Sequence, residues 1–178
     1  KLDLEPTLVR YPSDLNRIIG LIIPGGESTT MTKLMDRAGF YEPITSFANT
    51  NPVLGTCAGL IMMSSQAKDK RIKTLGLLDV EVERNASGRQ IHSLCELINI
   101  DINGKSHPTE ATFIRAPIIV RYGSNVNVLA TFNGSPCAVQ SGLHLGLSFH
   151  PELNGVTIFH EFAFKKLVTL KEERIHAA

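Results

Sequence analysis

Gly55-Thr56-Cys57-Ala58-Gly59 is the stretch of this sequence best suited to chemistry. It has the G-x-nucleophile-x-G form of a nucleophile elbow, with sulfur in place of a hydroxyl. A nucleophile on a sharp strand-to-helix turn has a strained backbone, so its neighbours two residues away must lack side chains. Gly55 and Gly59 meet that need. Such a turn points the sulfur out of a sheet and sets it at a helix N-terminus, where the dipole favours an anionic sulfur. The ordinary fate of a free cysteine is a small buried hydrophobe, and that is the expectation for Cys95 and Cys137.

A base stands downstream. Phe149-His150-Pro151-Glu152 follows an apolar strand-like run at residues 145–149. Strand ends deliver side chains to the rim of a parallel sheet, where α/β sites form. His150 can take the thiol proton and return it to a leaving group. In extended chain, residues two apart project to one side, so Glu152 can orient the imidazole and fix its tautomer. Alone, this three-residue phrase reads equally as a turn histidine; beside Cys57 it completes a nucleophile, base and orienter. His92, His107, His144 and His176 lie in polar or turn-like surroundings and are expected to be solvated, while His160 sits between Phe159 and Phe162 and is expected to pack.

Pro24-Gly25-Gly26-Glu27-Ser28 lies between an apolar run and a helical stretch. Glycines let a backbone approach a ligand closely. The Gly25 and Gly26 amides can face a developing oxyanion, with the Ala58 amide as second donor. A phosphate-binding loop of the Walker type fails, because no G-K-[ST] closes it. Arg84 and Arg115 each follow a strand-like run, and arginine suits a two-pronged grip on a free amino acid's carboxylate. Surface ion pairing is the commoner role.

The elements that position these residues alternate. Residues 7–10 read as a short strand and 14–17 as a helical turn. Residues 18–23 (IIGLII) read as a buried parallel strand stopped by Pro-Gly-Gly. Ser28 or Thr29 is expected to cap a helix with apolar positions Met31, Leu34, Met35 and Ala38, ended by Gly39. Residues 42–48 read as helix, 52–56 as strand and 58–67 as helix. Strand-like runs follow at 80–84, 97–102, 113–120, 126–132, 137–140 and 145–149, and an amphipathic helix closes the chain at 158–170. This order indicates one α/β domain over residues 1–178 with a mixed sheet.

Composition narrows the partners. At 178 residues, 43% apolar and 20% charged, the chain is typical of a soluble globular domain. A net charge of +1 makes no electrostatic case for nucleic acid or an anionic membrane. No apolar run approaches the roughly 20 residues that cross a bilayer, and residues 1–10 hold no signal-peptide core. Three widely spaced cysteines fit neither a disulfide framework nor a CxxC metal site. A reducing, cytoplasmic setting is the simplest reading.

The phrases LIIPGGESTTM, GTCAGLIMMS, VERNASGRQ, ATFIRAPII and SFHPEL occur in that order. Together they resemble the glutaminase subunits of pyridoxal 5′-phosphate synthase, the PdxT or Sno family, from about Ile18 to Phe164. PGGEST and GTCAG mark class I glutamine amidotransferases broadly; RN-x-x-GRQ and FIRAP make the narrower identification. The resemblance implies a flavodoxin-like three-layer fold. It implies hydrolysis of L-glutamine to glutamate and ammonia, and delivery of the ammonia to a synthase subunit that builds the vitamin B6 cofactor. It assigns Cys57, His150 and Glu152 to catalysis and places glutamine around Gly25, Gly26, Glu27, Arg84, Ile114 and Arg115. It implies no metal or organic cofactor, and a glutaminase activity that depends on docking to the synthase. Family chains usually start with a further strand and helix. The sequence reads as beginning after them, which leaves an interior sheet position open and makes a catalytically weak regulatory or assembly subunit the alternative. Gly146-Leu147-Ser148 stands where the family commonly has Ala-Thr-Ser, a change expected to be mild.

Two other readings compete. A glutaminase for purine or anthranilate synthesis would not predict FIRAP or RN-x-x-GRQ. A cysteine-bearing α/β domain of the DJ-1 type would not predict H-x-E after the last strand.

Overall fold

A computed structural model describes residues 4–84 and 93–165. The first regular element is a 3-10 turn, Pro12–Arg17, whose Asp14 carboxylate accepts the Arg10 and Tyr11 amides at 2.9 Å each. Then come β1 (Leu21–Ile23), α1 (Ser28–Arg37), α2 (Tyr41–Ala48), β2 (Val53–Thr56), α3 (Ala58–Met63), β3 (Ser64–Ala67) and β4 (Leu78–Glu83). The second half is mostly strand: β5 (Leu94–Ile102), β6 (Lys105–Phe113), β7 (Ile118–Tyr122), β8 (Asn127–Phe132), β9 (Ser135–Ser141) and β10 (His144–Leu147). A 3-10 turn (Pro151–Asn154) and α4 (Ile158–His160), running into a π turn (Glu161–Lys165), complete the described chain.

The central sheet has the order β1-β2-β10-β9-β8. Its first three strands are parallel and the rest antiparallel, the expected mixed sheet of an α/β fold. Parallel strands must be covered on both faces, and β2 shows how. Val53 and Leu54 are both fully buried, yet they belong to different cores. Val53 faces a core with residues of α2 and α3; Leu54 faces one built from the β5–β6 ribbon, β8 to β10 and Phe159. The two cores and the sheet between them make three layers. A smaller sheet, β3-β4-β7, is joined to the first core through Leu78, Val80, Val82 and Ile119.

Several sequence expectations differ from the structure. Residues 7–10 form no strand. Only Leu21–Ile23 of the 18–23 run is strand, and Ile22 is 44% exposed. Glu27, not Ser28 or Thr29, caps α1: its carboxylate accepts the Thr29 and Thr30 amides at 3.2 and 2.7 Å. Leu34, expected on the apolar face, is 59% exposed. The helix expected at 58–67 ends at Met63, because the Ser64 hydroxyl bonds back to the Ile61 carbonyl at 2.7 Å and residues 64–67 pair with β4. The strand expected at 113–120 is broken between Phe113 and Ile118, where Arg115 has φ +46° and Pro117 has no N–H to give. β6 was not expected at all. Pro108 lies in its middle, and a two-stranded ribbon tolerates that because each strand has one unpaired edge. Of the closing helix expected at 158–170, residues 166–170 lie outside the described residues, as do His92, His176 and most of RN-x-x-GRQ.

Candidate active site

The parallel strands β1, β2 and β10 end together, and Cys57 follows β2 directly. Its backbone is at φ +50°, ψ −106°, a conformation costly for any side-chain-bearing residue. Surrounding contacts hold it there. The Cys57 N–H donates to the Leu147 carbonyl at 2.8 Å, and its carbonyl accepts from Ile61 N at 3.4 Å. A Cβ on Gly55 would lie 2.7 and 2.8 Å from the Gly59 carbonyl carbon and oxygen. One on Gly59 would collide with the Ile23 carbonyl oxygen and lie 2.8 Å from its carbon. The two glycines are required because the elbow folds onto itself and onto β1.

Four non-glycine residues have positive φ among those described. Asn103 and Asn133 precede Gly104 and Gly134 in hairpin turns, where that conformation is usual. The others are Cys57 and Arg115, and they are neighbours in space: the Cys57 Sγ lies 3.9 Å from the Ile114 carbonyl.

β10 leads through buried Ser148 and Phe149 to His150. The His150 Nδ1 is 2.7 Å from Glu152 Oε1. Glu152 reaches it from the 3-10 turn Pro151–Asn154, not from the extended chain that the spacing suggested. The imidazole is pushed up to about 9, foremost by hydrogen bonding with the Cys57 sulfur and also by Glu152, against burial, which lowers it. Glu152 is thus bonded to the ring, and the Cys57 sulfur is the neighbour that most favours its charged form.

Gly25 packs on the imidazole. A Cβ there would lie 3.2 and 3.3 Å from the two ring nitrogens and would collide with Cε1. Among the described residues neither the Gly25 nor the Gly26 N–H donates to a backbone carbonyl, and Ala58 heads α3, where amides have no partner within the helix. The Glu27 carboxylate is occupied. Beyond the two capped amides it accepts the Thr29 and Thr30 hydroxyls at 2.6 and 2.8 Å and pairs with Arg84 Nη1 at 3.0 Å. The Thr29 and Thr30 hydrogen bonds hold its pKa down to about 2. Arg84 also lies 3.6 Å from Asp69, which Arg71 grips through two hydrogen bonds. Arg115 is exposed, and no carboxylate lies within ion-pair distance of it among the described residues.

Sequence reasoning missed Asp69, Thr112 and Asn154, which contact Arg84 or the His150 turn; nothing in their local pattern marks them. Cys95 was expected to be buried but is exposed, since its strand belongs to a two-stranded ribbon. Cys137 is buried as expected, and burial pushes its thiol up to about 12. His144 is half-buried rather than solvated, and burial lowers its pKa, as it does that of His160. No group of three or more His, Cys, Asp or Glu able to hold a metal occurs among the described residues. None of their helices is long and apolar enough to cross a membrane.

A model of the SNO glutamine amidotransferase family matches residues 1–169. Over 161 residues the chain is 43% identical to a protein of Oenococcus oeni named pyridoxal 5′-phosphate synthase subunit PdxT, covering 90% of this chain and 83% of that one. A protein of the same name from Thermoplasma volcanium is 48% identical over 155 residues, 86% of this chain and 76% of the relative. A crystal structure described as a glutamine amidotransferase matches with a TM-score of 0.84 at 35% identity, over 92% of this chain and 87% of that one.

Proposed function

This chain belongs to the SNO glutamine amidotransferase family, and from that premise we propose that it hydrolyses L-glutamine through Cys57, His150 and Glu152 and supplies the ammonia to a pyridoxal 5′-phosphate synthase partner. The observation that carries this reading is the His150 imidazole, which packs on Gly25, lies 2.7 Å from Glu152 and has the Cys57 sulfur as the neighbour that most favours its charged form.

The Cys57 sulfur attacks the side-chain carboxamide carbon of glutamine. Negative charge develops on the amide oxygen, and the Gly25, Gly26 and Ala58 amides receive it. His150 takes the thiol proton as the sulfur attacks and, with its pKa raised to about 9, keeps it at neutral pH. It hands that proton to the departing nitrogen as the C–N bond breaks, leaving a thioester on Cys57 and free ammonia. His150, now neutral, takes a proton from water as the water adds to the thioester. The C–S bond then breaks and glutamate leaves. Glu152 keeps the ring oriented and stabilises its charged form.

Arg84 and Arg115 supply the positive charge for the substrate's α-carboxylate, with Ile114 and the backbone at Glu27 lining the same slot. No metal or organic cofactor enters any of these steps. Docking to the synthase is the event that couples ammonia release to its use. The free thiols of Cys57, Cys95 and Cys137 suit a reducing, cytoplasmic setting.

The test is glutamate formation from glutamine by the complex with the synthase. Cys57→Ala should abolish it while leaving the complex intact in size-exclusion chromatography. Ammonia release at the parent rate by that variant would end the assignment.

A further inference from the structure

Thr112, at the end of β6, holds the segment that carries the base at both ends. Its carbonyl accepts the His150 N–H at 2.9 Å. Its hydroxyl donates to Asn154 Oδ1 at 2.6 Å. The first and last residues of 150–154 are thus fixed to one strand residue, with Glu152 between them. Asn154 is itself oriented from its other end: its amide nitrogen lies 3.2 Å from Glu110 Oε2 and 3.4 Å from the Cys95 sulfur. That donor faces a carboxylate, so the amide oxygen must face the threonine. Pro151 is buried, but among the described residues no further hydrogen bond ties the turn to the sheet. Its remaining backbone bonds are local: Leu153 N to the His150 carbonyl at 3.3 Å, Gly155 N to the Glu152 carbonyl at 3.4 Å and Val156 N to the Pro151 carbonyl at 3.0 Å. Glu152 is also exposed, so packing does not fix its carboxylate. Two residues beyond Thr112, the Ile114 carbonyl touches the Cys57 sulfur. One stretch of chain thus meets both the base and the nucleophile.

We propose that Thr112 and Asn154 form a positioning clamp that sets the His150–Glu152 turn at a fixed distance from Cys57. The clamp rests on the proposed catalytic roles of Cys57 and His150. It touches neither substrate nor reacting atoms and acts only through the imidazole. Without the hydroxyl, Asn154 keeps only the longer contacts of its amide nitrogen with Glu110 and Cys95, and the turn shifts about the His150 N–H bond. The ring then leaves the line between sulfur and carboxylate.

Thr112→Val removes the hydroxyl while keeping the branched shape and the backbone carbonyl; Thr112→Ser keeps the donor. Asn154→Ala, on the half-buried turn, is the second route should the valine variant fail to fold. In complex with the synthase, Thr112→Val and Asn154→Ala should lower kcat for glutamine by roughly tenfold or more with KM little changed, since a misplaced base slows chemistry and not binding. Thr112→Ser should restore the parent rate. Ring-labelled histidine NMR should show the His150 midpoint moving down toward the ordinary value of about 6.5 in the two loss variants. A merely structural bond would lower the melting temperature and move neither kcat nor that titration, and that result overturns the clamp. His150→Asn separates the failures. If it still hydrolyses glutamine at the parent rate, the catalytic reading falls and the clamp with it. If it is inactive while Thr112→Val is fully active, only the clamp falls.

Discussion

Gly25→Ala is the substitution on which the geometry speaks most sharply. The added methyl would sit 3.2 and 3.3 Å from the His150 ring nitrogens and closer still to Cε1. Carbon contacts relax only near about 3.5–4.0 Å, so the ring must retreat by about 1 Å. Gly25 is not among the glycines with positive φ, so the backbone accepts alanine and the clash is the whole perturbation. A 1 Å retreat stretches the 2.7 Å bond to Glu152 toward about 3.7 Å, past hydrogen-bonding range. Misplacement of this size costs about a hundredfold in rate, or about 2.7 kcal/mol of barrier. The His150 side chain is 15% exposed at the rim, so it has somewhere to go, and the folding cost belongs at the low end of about 1–3 kcal/mol. The assay is glutamate formation by the complex, with a thermal melt as the folding control. Gly26→Ala is the comparison: its methyl meets only the Met31 sulfur, at an ordinary 3.5 Å, and it should cost far less. A Gly25→Ala enzyme with parent kcat would refute the placement of the ring.

Gly59→Ala should fail in a different way, because its methyl strikes the Ile23 carbonyl, which is backbone and cannot rotate aside; a loss of about 3 kcal/mol is expected in urea unfolding, and a parent-like midpoint would contradict the elbow packing. The rate should depend on pH through His150, raised to about 9 by Cys57 and then Glu152 against desolvation. The protonated ring gives its proton to ammonia, so kcat should fall as pH rises through about 9, and a profile flat to pH 10.5 would remove His150 as the donor. The same sign governs stability: the contribution from the charged ring is complete below its ordinary value of about 6.5 and is lost as pH rises through about 9.

The elbow was legible because its requirement is local. A positive φ at Cys57 and the mutual approach of Gly55 and Gly59 follow from chain geometry within five residues, and the glycines record it. His150 and Glu152 were legible for a similar reason, since only Pro151 separates them, although the 3-10 turn that joins them was not foreseen. What escaped depended on distant chain. Residues 64–67 follow α3 with no glycine or proline to break it, but pairing with β4 wins over the helix. Cys95 looked like core until its ribbon proved to have only two strands. The Asp69 partner of Arg84 and the Thr112 grip on Asn154 are contacts between segments far apart in sequence. No periodicity or motif announces such a pair.

Glu27 is where sequence and structure pull hardest against each other. The family resemblance puts it beside glutamine, yet its carboxylate is spent on Thr29, Thr30 and Arg84. Arg84 in turn meets two carboxylates before any substrate arrives. If Arg84 grips the α-carboxylate, glutamine must compete with Glu27 for it. Side chains 25% and 47% exposed form only a weak pair, worth about 0–1 kcal/mol, so the competition is mild. Glu27→Gln isolates it. An amide oxygen in the place of Oε2 can still accept from the Thr30 amide and the two threonine hydroxyls and keep most of the cap, while the charge facing Arg84 disappears. KM for glutamine should then fall, by up to about fivefold for 1 kcal/mol, with kcat held. A rise in KM would mean that the carboxylate itself holds the substrate, for instance through its ammonium group. In that case the contacts with Thr29 and Thr30 would serve to aim Glu27 at glutamine, and the α-carboxylate would be left chiefly to Arg115.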